Sequence, residues 1–200
     1  MKKGGRYKTS GLVEDTFEPG SRGRVLKNKL GVTGKRAMDE IEAREQLRAL
    51  NEFLEMYDRD HRFTTGDICR MHEAWLGNIY EWSGKYRQVN ISKGNFTFAM
   101  ARQVPMLMEK FEQGPLRDYT PCLFTDRNEI IRAMAVVHTE LVLIHPFREG
   151  NGRLSRMLAV LMGLQAGLPP FDFGGLTGKT RQKYFAAVQV GMGYNYAPME

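Results

Sequence analysis

Apolar residues along most of this chain recur three and four positions apart, the spacing that gathers them on one face of an α-helix. Between Ala37 and Tyr57 they are Met38, Ile41, Leu47, Leu50, Phe53, Leu54 and Tyr57, with Glu, Asp and Arg between them, which predicts an amphipathic helix. A second helix is predicted from Thr65, with Asp67 in its first turn, through Ile68, Met71, His72, Trp75 and Leu76 to a stop at Gly77-Asn78. The period then changes. KYRQVNISKGNFTFA, residues 85–99, places β-branched and aromatic residues around Gly94-Asn95, the composition of a short hairpin. Helix returns from Arg102 to Glu112, broken by Gly114-Pro115. It resumes over 126–144, where Asp126 is a cap with Glu129 three residues on. Further helices are predicted from Asn151 to Ala166, stopped by Gly167 and Pro169-Pro170, and over 179–190. The expected fold is mainly α, a compact bundle of about six to eight helices with one short β-hairpin.

Composition narrows this little: 200 residues, 42% hydrophobic and 26% charged, describe one globular domain. Two cysteines are too few for a disulfide framework and suit a reducing compartment. The net charge of +6 invites a nucleic-acid reading until it is located. Residues 1–36 hold ten of the 29 basic side chains and three of the 23 acidic ones, leaving 19 against 20 in the remainder. The surplus belongs to a glycine-rich segment expected to be a flexible basic arm over 1–23, which argues against nucleic acid and membrane as partners. No apolar stretch of signal-peptide length follows the charged start, and the longest run without polar side chains, MLAVLMGL at 157–164, is far too short to span a bilayer. A cytoplasmic protein is expected.

The chemistry concentrates in HPFREGNGRLSR, residues 145–156. Gly150, Asn151 and Gly152 bring bare backbone to a helix N-terminus, where unpaired N–H groups and the positive dipole end favour an anion. Arg153 and Arg156, three apart, project from one face of that helix and suit phosphate oxygens. Glu149 beside polyphosphate has one favourable use, holding a bridging cation such as Mg²⁺. His145 is placed to take a proton near neutral pH.

This stretch resembles the signature of the Fic family, His-x-Phe-x-(Asp or Glu)-Gly-Asn-Gly-Arg-x-x-Arg, matching it at every fixed position. The likeness extends to VLKNKLGVT before the first helix and to EWSGKYRQVNISKGNFTFA, so that a Fic domain is expected over 24–195 with a tail at 196–200. The resemblance implies a hairpin flap over the active site and protein AMPylation, the transfer of AMP from ATP to a Ser, Thr or Tyr hydroxyl of a target protein. It implies that His145 is the general base, that Phe147 anchors the loop in the core and that Glu149 coordinates Mg²⁺. Backbone of Gly150, Asn151 and Gly152 and the Asn151 side chain are implied to hold the α- and β-phosphates, and Arg153 and Arg156 the β- and γ-phosphates. The flap residues Lys93, Gly94, Asn95, Phe96, Thr97 and Phe98 are implied to align the target segment by edge-strand pairing, with Lys93 and Phe96 as clamps. Alternatives are transfer of UMP, phosphocholine or phosphate, or a non-catalytic nucleotide- or nucleic-acid-binding module.

The inhibitory pattern of many Fic proteins, (Ser or Thr)-x-x-x-Glu-(Gly or Asn), has no match. The nearest stretch, from Ser10 to Glu14-Asp15, ends in Asp. A separate small antitoxin chain occluding Arg156 is the corresponding expectation. GGLTGKT at 174–180 is one residue too short between its glycines for a P-loop, and His61, His72 and His138 show no metal-ligand spacing.

Overall fold

The computed structural model describes residues 11–169, 171 and 173–200. Its helices are α1 (Lys35–Met56), α2 (Thr65–Leu76), α3 (Val104–Phe111), the single turn α4 (Arg117–Tyr119), α5 (Arg127–Ile144), α6 (Asn151–Gln165) and α7 (Gly178–Val190). Strands β1 (Ser92–Lys93) and β2 (Phe96–Thr97) form a two-stranded antiparallel hairpin, Ser92 opposite Thr97 and Lys93 opposite Phe96. The mainly helical bundle with one hairpin is therefore as the residue spacing predicts.

Local chemistry explains the boundaries. Thr64 caps α2 by accepting from the Asp67 N–H, and the Asp67 carboxylate accepts from Thr64 in return, a complete capping box. Asp126 accepts from the N–H groups of Asn128 and Glu129 at the start of α5. Gly114-Pro115 does not break the third helix as expected. It sits in a π-helical turn, Glu112–Leu116, that leads directly into α4. The wide turn tolerates the proline, and burial of Leu116 in the core holds the segment in place.

The core lies between α2, α5 and α6 and is filled by Ile68, Met71, Trp75, Leu141, Leu154, Leu158 and Met162. On α1 the buried face is Met38, Glu42, Ala49 and Phe53, whereas Leu47 and Leu54 face solvent. The spacing places Leu47 and Leu54 on the apolar face with Met38 and Phe53, but in the structure they lie on the exposed side, because packing against α2 buries the side that carries Glu42.

The proposed boundary at residue 23 meets a packed segment. Residues 1–10 lie outside the described residues, but residues 11–28 are folded onto the domain. Val13–Asp15 form a 3₁₀ turn, Phe17 bridges Leu26, and Glu18 accepts from Lys27 (2.9 Å) and the Asn28 N–H (3.1 Å). Ser21 and Val25 are buried. Charge and glycine content suggested a solvated arm, yet the polar side chains of 14–28 are largely consumed by local hydrogen bonds. The C-terminal residues are also engaged, the Tyr196 hydroxyl donating to Glu140 (2.6 Å). No helix among the described residues is long and apolar enough to cross a membrane.

His72 and His138 are buried and His145 is half-buried, and all three are pushed down by loss of solvation: His72 to about 3, His138 to about 4 and His145 to about 4. An unfolded chain would protonate them near 6.5. Below that pH the unfolded state binds more protons than the folded one, so stability falls as pH drops from 6.5 towards 4. A melting temperature lower at pH 5 than at pH 7 is expected in a thermal shift series, and a flat profile would show that these rings are not buried neutral.

Candidate active site

His145 ends α5 in the left-handed region (φ 54°, ψ 58°), which turns the chain sharply into the loop before α6. Its Nδ1 lies 3.1 Å from the Val142 carbonyl. A carbonyl can only accept, so Nδ1 carries the proton and Nε2 presents a lone pair. The ring is stacked on Phe98 at 3.7 Å. Burial is the largest cause of its lowered pKa, opposed by the Val142 bond and by Glu149, and reinforced by Arg87 and Lys93. A neutral imidazole with one fixed tautomer is thus available as a base at pH 7.

The following loop is held from inside. Phe147 is fully buried and stacks on His72 at 3.9 Å. His72 accepts from the Gly84 N–H at Nδ1 (2.8 Å) and donates from Nε2 to the Glu149 carbonyl (3.1 Å), so this histidine braces the loop. Asn151 uses both ends of its side chain on Phe147: Oδ1 accepts from the Phe147 N–H (2.8 Å) and Nδ2 donates to its carbonyl (2.7 Å). The side chain expected on phosphate is therefore also the one that closes the loop, with one Nδ2 donor and Oδ1 engaged by Phe147.

Gly150 caps α6 at φ +84°, and a Cβ there would lie 2.8 Å from Trp75 Cζ3. Both conformation and space require glycine. Gly150→Ala is expected to destabilise the fold by about 2–4 kcal/mol, from left-handed strain plus overpacking, measured by urea denaturation. A change below about 0.5 kcal/mol would show that the loop relaxes freely. At Gly152 an added Cβ meets only ordinary contact with Arg156 (3.7 Å), so steric need does not explain that glycine.

The charged residues divide. Glu149 is half exposed, its Oε1 accepting from the Gly150 N–H (3.0 Å) and 3.6 Å from Arg153. Arg153 pairs with buried Glu42 of α1 at 2.7 Å and lies over the Trp75 ring at 4.7 Å. Arg156 pairs with no carboxylate among the described residues. It neighbours the Phe173 ring (5.8 Å) and the Tyr184 hydroxyl, and burial lowers its pKa against the pull of Tyr184. Behind it, Tyr184 meets Nε2 of His138 (2.8 Å) and His138 Nδ1 meets the Ser155 hydroxyl (2.8 Å).

The hairpin brings Phe98 onto His145 and Phe96 against Phe98 (5.0 Å). Gly94 makes the turn at φ +60°, and Asn95 and Thr97 are exposed. Lys93 is drawn over the Phe185 ring of α7 (4.1 Å), and burial first, then Arg181 and Arg156, push its pKa down. The 145–156 loop, flap and α7 thus bring Arg156, Lys93 and Arg181 near one another.

Sequence pattern gave no signal for Arg87, a fully buried arginine. Its guanidinium donates to the carbonyls of His145 (2.6 Å), Val89 (2.7 Å), Ala99 (2.5 Å) and Ile144 (3.4 Å), and its N–H to Pro146 (2.8 Å). Val89 and Ala99 flank the flap, so one side chain ties both stems of the hairpin to the base. Glu14 accepts from the Gln88 N–H (2.7 Å), and Arg148 donates to the Glu14 carbonyl (2.8 Å), so the nearest match to an inhibitory glutamate is built into the base of the flap.

Left-handed His145 and Gly150 thus bracket the loop between α5 and α6 in a helical bundle that carries one hairpin. The family model described as the Fic/DOC family matches residues 62–162, and the chain belongs to that family. Protein adenylyltransferase fic-1 of Caenorhabditis briggsae is 30% identical over 188 residues, covering 92% of this chain and 35% of that protein. The chain thus spans about a third of the length of the curated relatives it matches. The N-terminal Fic domain of a VirB-translocated Bep effector from Bartonella sp. AR 15-3 superposes with a TM-score of 0.76 at 20% identity, over 98% of this chain and 92% of that one, which shows the shared fold. A putative cell filamentation protein from Bartonella quintana, solved with bound ADP, matches at TM-score 0.67 and 27% identity over 87% and 86% of the two chains.

Proposed function

We propose that this chain is a protein adenylyltransferase that moves AMP from ATP to a hydroxyl of a target protein. The observation that carries this is His145, neutral, with Nδ1 fixed on Val142 and Nε2 left to accept, set before the N-terminus of α6. A relative is named for this activity, and a related solved domain holds ADP.

The target hydroxyl would give its proton to Nε2 while its oxygen attacks the α-phosphorus, breaking the bond to the bridging oxygen and releasing pyrophosphate. Main-chain N–H groups at the start of α6 would stabilise charge on the α-phosphate, and Arg156 would grip the outer phosphates. The flap, a two-stranded sheet with no third strand among the described residues, offers an edge for the target segment, and Phe98 couples its position to the base. Of the clamp residues, Phe96 stays with the flap while Lys93 leans on α7 and lends positive charge to the cleft.

No cluster of three metal-ligating side chains exists among the described residues. Glu149, half exposed beside the helix start, fits a Mg²⁺ that takes its other ligands from phosphate and water, and such an ion would neutralise charge on the leaving pyrophosphate. Arg156, without a carboxylate partner among the described residues, suits an inhibitory carboxylate from a separate chain. Cys69 and Cys122 are free thiols, in keeping with a cytoplasmic setting.

Incubation with ATP labelled at the α-phosphate and a lysate should label protein, whereas γ-labelled ATP should not. Labelling by the γ-phosphate would instead make the chain a kinase, and no transfer from either would sink the catalytic proposal.

A further inference from the structure

The two motif arginines look equivalent in sequence, but their surroundings differ in one decisive respect. Arg153 faces a buried carboxylate: Glu42 of α1 is 2% exposed, with Oε2 2.7 Å from the guanidinium and Oε1 accepting from the Tyr80 hydroxyl at 2.6 Å. The Glu42 main-chain carbonyl accepts from the Trp75 indole (2.8 Å), and that same indole lies under Arg153 and against Gly150. Glu42, Tyr80, Trp75 and Arg153 therefore form one braced unit behind the phosphate loop. Arg156 has no such countercharge among the described residues.

We propose that Glu42 is a positioning residue that holds Arg153 as an internally neutral pair, so that Arg153 braces the loop while Arg156 supplies the net positive charge for phosphate. This deepens the nucleotide-binding proposal above and rests on it. The physical basis is that a buried ion pair presents little net charge outward, whereas removing one partner leaves the other uncompensated at full strength. Arg153 is thus needed chiefly because Glu42 is there. Without the arginine, a bare carboxylate would sit beside the site where phosphate must bind and repel it.

Affinities for ATP, with AMP as a probe lacking the outer phosphates, separate this role from direct phosphate binding. Arg153→Met is expected to weaken ATP binding by roughly tenfold or more, as truncation of one member of a buried charge pair does. Adding Glu42→Gln to that variant should restore most of the loss, because the unmasked charge is gone. Glu42→Gln alone should tighten ATP about three- to tenfold, with a smaller effect on AMP, since Arg153 keeps an acceptor but loses its countercharge. Failure of Glu42→Gln to rescue Arg153→Met would show that Arg153 grips phosphate directly and overturn the proposal. Weaker ATP binding in Glu42→Gln at an unchanged melting temperature would overturn it too. Should that single variant fold poorly, the doubly substituted chain, which leaves no unpaired charge at these two positions, still decides by its affinity relative to Arg153→Met. Wild-type protein that binds neither nucleotide would instead remove the nucleotide proposal, and this one with it.

Discussion

His145→Ala is expected to lower the rate of AMP transfer by at least about 100-fold, the usual worth of a positioned general base, while ATP binding is retained. The reason is local: the ring is the group in this loop whose tautomer is fixed by an acceptor, with Nδ1 on the Val142 carbonyl. Alanine removes the base and leaves the α6 N-terminus in place. Single-turnover transfer with α-labelled ATP gives the rate, and retained transfer would show that the proton leaves by another route. The pH profile is a companion test. Burial lowers His145 to about 4, so kcat/KM is expected to stay level from pH 8 to about 5 and to fall only as the ring becomes protonated below that. An acid limb centred near 6.5, the ordinary value for histidine, would contradict the buried, desolvated ring.

Arg87→Met is expected to cost the fold about 3 kcal/mol or more, because four carbonyls lose a charged donor in a buried place. For a chain of this size that corresponds to a melting temperature lower by roughly 6–12 °C. The deficit is expected to reach function as well, since the lost bonds join Val89 and Ala99 of the flap stems to His145 and Ile144. Arg87→Lys, which keeps a charge but cannot fork to several carbonyls, should recover only part of the stability. Denaturation and transfer rates measured on the same samples would check this. A variant as stable as the wild type would mean that water replaces the guanidinium.

The Arg87 case also marks where sequence reading ends. The partners of its guanidinium lie up to 58 positions away, and nothing in KYRQVN distinguishes an arginine that reaches four carbonyls from one in solvent. Glu42 did leave a trace: it shares a helix face with Met38, Ala49 and Phe53, and a carboxylate on a buried stripe calls for a partner. That trace was hidden because the spacing puts Leu47 and Leu54, which are exposed, in the same apolar group as Met38 and Phe53. The N-terminal segment misled for a related reason. Composition records its charges and glycines, but not that Glu14, Glu18 and Asn28 are consumed by hydrogen bonds within the domain.

The helical bundle, its hairpin and the run of chemically capable side chains at 145–156 were legible along the chain, because apolar spacing, caps and helix starts act over neighbouring residues. Which partners those side chains meet came from the packing of distant segments. Asn151 closes its own loop, Val142 fixes the proton of His145, and buried Glu42 pairs with Arg153 while Arg156 meets no carboxylate among the described residues. A side chain's type sets what it can donate or accept. Which of those capacities is already spent depends on groups brought in from other elements, and on the exclusion of water that makes each unspent one count.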